Sequence, residues 1–318
     1  MKKVVGIWDQ NQSGGTIGNL LVFLEELQIN GQIYGADEIH VVIAGDVEQL
    51  TKGIPAKSRG LISRLYLNDA EELSPLMVVL RSMLFVDACY KYTGFIKRQD
   101  LIREFGVNAI LWPDLDALRY STHNYDSTLR IQKFFRDIGS IPVISLKKEL
   151  LNWSEKYLVE KSGGKQVVVV HLKHNSKING QSNANMDSWW SFFLEEKIQQ
   201  HAHFVIIGND PVSEQIRQVP NITIAQGNGL TIAHHLALIQ SAKYFMGMMS
   251  GPANMAIFGG QPYVIFKNPD HHPTEMIAEL GDNDHYVFAK PNQRVLRKWD
   301  TPDTLISSFG NMITKIKS

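Results

Sequence analysis

A chain of 318 residues is longer than one hydrophobic core comfortably serves, which points to two domains of about 150 residues each. Its 32 Lys and Arg balance 32 Asp and Glu, so it lacks the broad positive field that attracts nucleic acid, and any phosphate recognition must be local. The single cysteine, Cys89, excludes an internal disulfide framework, fits a reducing compartment and reads as core.

At the amino end, Lys2-Lys3 is followed by only five residues before Asp9 interrupts, too short for the apolar region of a signal peptide. No stretch approaches the roughly 18–20 apolar residues of a membrane span. These features predict a cytoplasmic protein and leave peripheral contact with the inner face of a membrane open. The run Val4 to Trp8 predicts a buried strand. A Gly/Ser/Asn turn and a helix carrying Leu20, Leu21, Phe23, Leu24 and Leu27 follow, and a second strand spans 39–45, completing a βαβ unit. Strands are also expected over 109–112 and 142–146, with a helix over 127–138 between them. After Lys161-Ser162-Gly163-Gly164-Lys165 the pattern restarts: a strand over 166–172, a helix over 187–199, and strands over 204–208 and 222–225. A helix over 231–241 and a strand over 244–248 come next, then a short helix closed by Gly259-Gly260 and a strand over 263–266. Leu305, Ile306, Phe309, Met312 and Ile313 mark a final helix. Continuous apolar strands alternating with helices give an α/β class, parallel sheets covered on both faces, whose ligands sit at the carboxyl ends of the strands.

Four groups of residues lie at such ends. Ser250-Gly251-Pro252-Ala253-Asn254 joins a strand to a helix start, where a hydroxyl, free first-turn N–H groups and the helix dipole suit an anion such as a diphosphate. Gly14, Gly15, Gly18 and Asn19 lie in and just after the first strand-to-helix turn. Their GGxxG spacing lets the backbone approach a ligand or simply turns tightly. His171 and Lys173 leave the first strand of the second half, with Lys173 placed as a point charge for phosphate oxygens and His171 equally readable as a core residue. Gly208-Asn209-Asp210 and Gln226-Gly227 end two further strands and could hold a base or ribose, or only turn the chain. Lys267, just after the last core strand, is a further phosphate contact.

Asp114-Leu115-Asp116 has the DxD form used for metals by some sugar-transferring enzymes. With 17 aspartates in the chain such a triplet arises by chance, and Asp282-Asn283-Asp284 is a second. The pairs His234-His235 and His271-His272 lack zinc-ligand spacing, so no metal is expected. Neither a GxSxG elbow nor a GxxxxGK[ST] loop occurs, which leaves phosphate-linked group transfer.

The stretch from Phe204 to Phe266 resembles the donor domain of the heptosyltransferase-like glycosyltransferases, family nine. Met249-Ser250-Gly251-Pro252-Ala253-Asn254 stands where that family has DSGPMH, and Gly14-Gly15-Thr16-Ile17-Gly18-Asn19-Leu20 where it has GGxGDxL. The resemblance implies two Rossmann-like domains facing across a cleft, the GT-B architecture. An acceptor-binding domain would occupy 1–155 and a nucleotide-sugar-binding domain 156–318. It further implies an inverting, metal-independent transfer from a nucleotide-diphosphate sugar to a glycan or lipid-linked saccharide, as in polysaccharide or lipopolysaccharide biosynthesis. The family's catalytic base is the aspartate replaced here by Asn19, which cannot accept a proton at useful pH. Either the base has moved or the activity is gone. Asp9 is the first alternative base and His123 the second, their plainer readings being a turn-capping aspartate and a surface histidine. Two other readings stay open: a non-hydrolysing sugar-nucleotide epimerase of the same fold, and a nucleotide-sugar-binding protein without turnover.

Overall fold

The computed structural model describes residues 1–13, 15–45, 62–64, 74–92, 96–120, 122–175, 180–227 and 229–314. The chain divides into two compact units, Met1–Ile131 with Ile141–Lys147, and Gln132–Ser140 with Lys148–Ser318.

The first unit opens with β1 (Lys3–Asp9), the short α1 (Gln10–Ser13), α2 (Ile17–Tyr34) and β2 (Glu38–Ala44). There follow β3 (Ile62–Arg64), α3 (Pro75–Ser82), β4 (Ala88–Tyr92), α4 (Arg98–Phe105), β5 (Ile110–Trp112), α5 (Leu115–Arg119) and α6 (Leu129–Ile138), the last of which passes into the second unit at Gln132. The sheet order is β3-β4-β2-β1-β5, parallel except for the antiparallel edge pairing of β3 with β4. β1 and β2 run in register from Lys3 opposite Glu38 to Asp9 opposite Ala44, the βαβ unit expected from the sequence. Thr16 caps α2 by accepting the Asn19 N–H, and Gly35 ends it in the left-handed conformation at φ 58°. Leu20, Leu21, Phe23, Leu24 and Leu27 are fully buried, as are Val4, Val5 and Ile7 of β1.

One expected strand does not form. Residues 142–146 form no ladder: the segment makes an isolated antiparallel bridge, Leu146 opposite Met83, and the N–H groups of Leu84 and Lys147 bond the carbonyls of Ser145 and Ser82, both at 2.9 Å. Pro142 has no N–H to give a ladder, so this apolar run packs at the end of α3 rather than extending the sheet.

The second unit contains α7 (Lys148–Ser162), β6 (Gln166–His171), α8 (Met186–Leu194), α9 (Glu196–His201), β7 (Ala202–Ile207), α10 (Glu214–Arg217) and β8 (Ile222–Ile224). It continues with α11 (Ile232–Ser241), β9 (Tyr244–Met248), α12 (Ala253–Gly259), β10 (Tyr263–Phe266), α13 (Pro273–Leu280), β11 (Gln293–Leu296) and α14 (Pro302–Thr314). All six strands are parallel in the order β11-β10-β9-β6-β7-β8. On one face Trp189, Phe192 and Phe193 of α8 pack with Phe204, Phe266 and Phe309.

The helix expected over 187–199 is two helices, broken at Glu195, whose ψ of 118° is extended. Continued helical spacing from Phe193 would turn Glu196 and Lys197 inward. The break re-phases the chain so that Ile198, 4% exposed, is the residue buried.

Both sheets contain a point at which strand order reverses. In the first unit the chain moves from β1 outward through β2 and returns to β5 on the other side of β1. In the second it moves from β6 through β7 and β8 and returns to β9 on the other side of β6. The carboxyl ends of the strands flanking such a point form a crevice that open α/β sheets use for ligands.

Candidate functional site

In the second unit the reversal lies between β6 and β9, and it gathers most of the residues singled out from the sequence. Reading along the carboxyl edge, β10 leads to Lys267, β9 to Ser250, β6 to His171 and Lys173, β7 to Gly208-Asn209-Asp210, and β8 to Gln226 and Gly227. The Gln226 amide donates to the Asp210 carbonyl at 2.8 Å, which ties the last two loops together, and Arg217 donates to the Gln226 side-chain oxygen at 3.3 Å. Asn209 and Gly227 are exposed on these loops.

His171 is a core residue, 5% exposed. Burial first, then the neighbouring His235 and Lys173, push its pKa down to about 4, so the ring is neutral at pH 7. Its Nε2 lies 3.6 Å from a carboxylate oxygen of Asp210, a contact between a neutral ring and an acid rather than an ion pair. The fit around it is tight. Gly208 sits at φ 95° and a Cβ there would stand 2.6 Å from His171 Nε2, while a Cβ on Gly247 would stand 2.5 Å from the His171 carbonyl oxygen. Asp210 itself is raised by burial, against the His174 backbone N–H and the Lys173 charge, which lower it.

Lys173 is half-buried, and burial lowers its pKa while Asp210 opposes the shift. Lys267 is only 7% exposed. Burial and then the Lys173 charge push it down to about 8, with Glu279 and Glu275 pulling the other way. His271 belongs to the same group. Burial, Lys267, His272 and Lys173 push it down to about 4, opposed by Glu275. The Lys173 charge opposes protonation of Lys267, and both lysines oppose protonation of His271, so positive charge is concentrated here.

The turn Ser250-Gly251-Pro252 differs from its expected form. The N–H groups of Ala253, Asn254 and Met255 are turned back onto the carbonyls of Ser250, Gly251 and Pro252 at 3.1, 3.2 and 3.0 Å, instead of standing free for an anion. The cause is Pro252, already helical at φ −60° and ψ −28°, which draws the chain into tight i to i+3 turns before the seven-residue α12 begins. What this turn offers a ligand is the Ser250 hydroxyl, enclosed and without a hydrogen-bond partner among the described residues.

In the first unit the reversal lies between β1 and β5. Asp9 ends β1, and its Oδ1 accepts the Asn11 N–H at 3.0 Å, the turn-capping role named as its plainer reading. The Asp9 N–H donates to the Tyr125 hydroxyl at 3.2 Å, which in turn donates to the Ile7 carbonyl at 2.9 Å. Gly14 lies outside the described residues. Gly15 takes φ 67°, and a Cβ on it would meet nothing within 4 Å, so the conformation rather than close packing calls for glycine. Gly18 is buried in the first turn of α2. The Asn19 amide donates to the Ser13 carbonyl at 2.6 Å, a bond that an aspartate carboxylate could not make.

His123 is not a surface histidine. It is 9% exposed, packs edge-on against Tyr125 with ring centres 4.5 Å apart, and burial followed by the Arg130 charge pushes it down to about 3. Its Nε2 is 3.5 Å from Glu26, with no hydrogen bond formed. So weak a base, so enclosed, is unsuited to taking a proton from an acceptor. Glu26, 2% exposed, is held by Arg130 at 2.7 Å and by the Trp112 indole at 3.3 Å, yet burial still raises it to about 7.

Among the described residues no group of three or more His, Cys, Asp or Glu side chains could hold a metal ion. Asp114 of the DxD triplet caps α5, accepting the Asp116 N–H at 2.8 Å, and also meets Arg98 at 3.3 Å. A separate cavity of about 490 Å³ lies between β11 and α14. It contains none of the residues above, and its charged lining is partly self-paired through Arg294 and Asp284 at 3.2 Å, so the carboxyl edge has the better claim to chemistry.

No protein-family model matches the sequence, and no curated protein matches it. Solved structures do. A glycosyl transferase of family 9 from Veillonella parvula superposes with a TM-score of 0.58 at 10% identity, covering 99% of this chain and 97% of its own. The E. coli ADP-heptose LPS heptosyltransferase II gives a TM-score of 0.55 at 10% identity, covering both chains fully at 100%. The fold is of the GT-B glycosyltransferase type. The likeness is one of fold and covers both α/β units. Sequence reading found the strand ends of this GT-B chain but missed Glu26, hidden in an apolar helix pattern, and His271, weighed only as half of a histidine pair for zinc. The signal available for His271 was its position four residues after Lys267.

Proposed function

We propose that this protein is a glycosyltransferase that moves a sugar from a nucleotide-diphosphate donor to a glycan or lipid-linked saccharide, with inversion and without an obligatory metal. The observation that carries the reading is the anion-seeking group Lys173, Lys267 and Ser250 at the strand reversal of the second unit, within a GT-B-type fold. The second unit is assigned the donor. His171, Gly208, Asn209, Gln226, Gly227, Gly251, Pro252 and Asn254 would shape its seat, and Lys173 and the Ser250 hydroxyl would stabilise the leaving diphosphate. The first unit is assigned the acceptor, over Gly14, Gly15, Gly18 and Asn19. An acceptor hydroxyl gives its proton to the Asp9 carboxylate as its oxygen attacks the anomeric carbon, and the bond from that carbon to the diphosphate oxygen breaks. His123, enclosed and weakly basic, leaves Asp9 as the base of choice.

A second reading is favoured by Asn19. Its amide is committed to the Ser13 carbonyl, which suits a nucleotide-sugar-binding protein that has kept the fold and lost the chemistry. One experiment separates the readings. The protein is offered ADP-, GDP- and UDP-sugars with and without saccharide acceptors, and release of nucleoside diphosphate is followed for the wild type and Asp9→Asn. Acceptor-dependent release, with kcat lowered at least a hundredfold in Asp9→Asn and donor affinity unchanged, is expected. Binding without release would establish the second reading, and conversion of a UDP-sugar with no acceptor would establish an epimerase.

A further inference from the structure

β1 is paired unequally on its two sides. Against β2 it runs in register through Asp9, whereas against β5 the register covers only Val4 to Gly6, opposite Ile110 to Trp112. Pro113 has no N–H to continue that ladder, and Asp114 has already turned to cap α5, its carbonyl accepting the Leu118 N–H at 3.1 Å. The end of β1 that carries Asp9 is thus left without a strand on one side. In a parallel ladder one residue of the neighbouring strand gives its N–H to a carbonyl and takes the N–H found two residues further on. For Ile7 and Asp9 a single side-chain oxygen makes both bonds. The Tyr125 hydroxyl donates to the Ile7 carbonyl at 2.9 Å and accepts the Asp9 N–H at 3.2 Å, using its donor and its acceptor capacity at once.

The phenol is fixed where it does this. Tyr125 is 2% exposed, and its ring meets those of Trp8, Phe23 and His123 with centres 4.8, 5.8 and 4.5 Å apart. Burial raises its pKa, so the hydroxyl keeps the proton that it donates. The residue before it is tied as well. The Asn124 carbonyl accepts from Arg130, Arg130 is held by Glu26 at 2.7 Å, and Glu26 takes the Trp112 indole N–H at 3.3 Å. Glu26 and Arg130, which the transfer itself does not use, therefore anchor the segment that carries Tyr125.

We propose that Tyr125 is a positioning residue, whose hydroxyl stands in for the missing rung beyond β5 and holds the end of β1 so that the Asp9 carboxylate is aimed for proton transfer. The inference rests on the assignment of Asp9 as the base. Without the hydroxyl, the Ile7 carbonyl and the Asp9 N–H lose this shared partner and the strand end frays. A base displaced by about 1 Å can lose on the order of a hundredfold in rate.

The test uses the full chain and Tyr125→Phe, which keeps the ring and removes one oxygen. Amide hydrogen exchange followed by NMR reads the strand end, and acceptor-dependent release of nucleoside diphosphate reads the chemistry. The Asp9 amide is expected to exchange at least tenfold faster in Tyr125→Phe, with the amides of Val41 and Val42 in β2 unchanged. kcat should fall tenfold or more, with donor affinity within twofold of wild type. In an Asp9→Asn background the same substitution should change the residual rate by less than twofold, because the hydroxyl acts through Asp9. A tyrosine that served stability alone would leave kcat of the folded variant in place. An Asp9 amide that exchanges as in the wild type, a kcat within twofold of it, or losses that multiply in the double variant would each overturn the assignment. If Tyr125→Phe does not fold, the wild type decides: a slowly exchanging Tyr125 hydroxyl proton with a nuclear Overhauser contact to the Asp9 amide is expected, and its absence overturns the proposal. The parent reading fails differently, with Asp9→Asn releasing nucleoside diphosphate at the wild-type rate while exchange at the Asp9 amide still depends on Tyr125.

Discussion

At the scale of single residues, the buried Glu26 and His123 show how one cluster makes two opposite demands on pH. Glu26 ordinarily titrates near 4.5, and burial raises it to about 7 in the folded protein. Between those values the native state holds the proton that the unfolded chain has lost, so stability is full below 4.5 and falls as pH rises to 7. His123 does the reverse. Its pKa drops from 6.5 to about 3, the unfolded chain binds the extra proton between those values, and stability falls as pH is lowered from 6.5 to 3. Over the overlap the two slopes oppose each other. Glu26→Gln removes only the first, so the stability of the variant relative to wild type is expected to rise with pH from 4.5 to 7, by on the order of 3 kcal/mol. Urea denaturation at several pH values measures it, and a difference that stays flat with pH would mean that Glu26 is ionised in the folded state.

At the scale of elements, the strands that the sequence revealed are those buried on both faces. β1, β2, β6, β7, β9 and β10 are near-continuous apolar runs, and their burial follows from a parallel sheet covered by helices. β4 and β11 were not visible, because Ala88-Cys89-Tyr90-Lys91-Tyr92 and Gln293-Arg294-Val295-Leu296 interleave polar residues, and β11 is an edge strand. α7 was missed for a related reason. It buries only Ser154, Leu158 and Ser162, too little to write a stripe into its sequence. Residues 142–146 failed in the other direction, an apolar run that Pro142 keeps out of the ladder. The candidate site was legible wherever it follows a recognised strand, as at Lys173, Ser250 and Lys267. His271 depends on the corner at His272, whose φ of 51° no local pattern announces. The packing of β9 against β6 at the strand reversal gives the element-scale prediction. A Cβ at position 247 would meet the His171 carbonyl oxygen at 2.5 Å, and backbone cannot yield as a side-chain tip can. Gly247→Ala should therefore push the two strands apart and cost about 3 kcal/mol. A loss below about 0.5 kcal/mol in denaturant unfolding would show that the strands separate there without strain.

At the scale of the whole molecule, charge balance and division into two units bear on how a ligand should register. With 32 basic and 32 acidic residues the chain exerts no long-range pull on an anion, so affinity must come from the local group at the carboxyl edge of the second sheet. A ligand that binds one native unit stabilises that unit by mass action. At a concentration one hundred times its Kd the gain is about 2.7 kcal/mol, equivalent to roughly 5–10 °C for a unit of this size. The expected result in differential scanning calorimetry is that one nucleoside diphosphate raises the transition belonging to Gln132–Ser140 and Lys148–Ser318 by that amount. The transition of the other unit should stay fixed if the two melt separately. Lys173→Gln identifies which transition carries the site, because it should abolish the shift there. A shift confined to the first unit would place the anion at Gly15 and Asn19 instead and reverse the donor and acceptor assignments. Movement with CMP and not with ADP, GDP or UDP would replace the diphosphate donor by a monophosphate one, a result that the two lysines at this edge, Lys173 and Lys267, argue against.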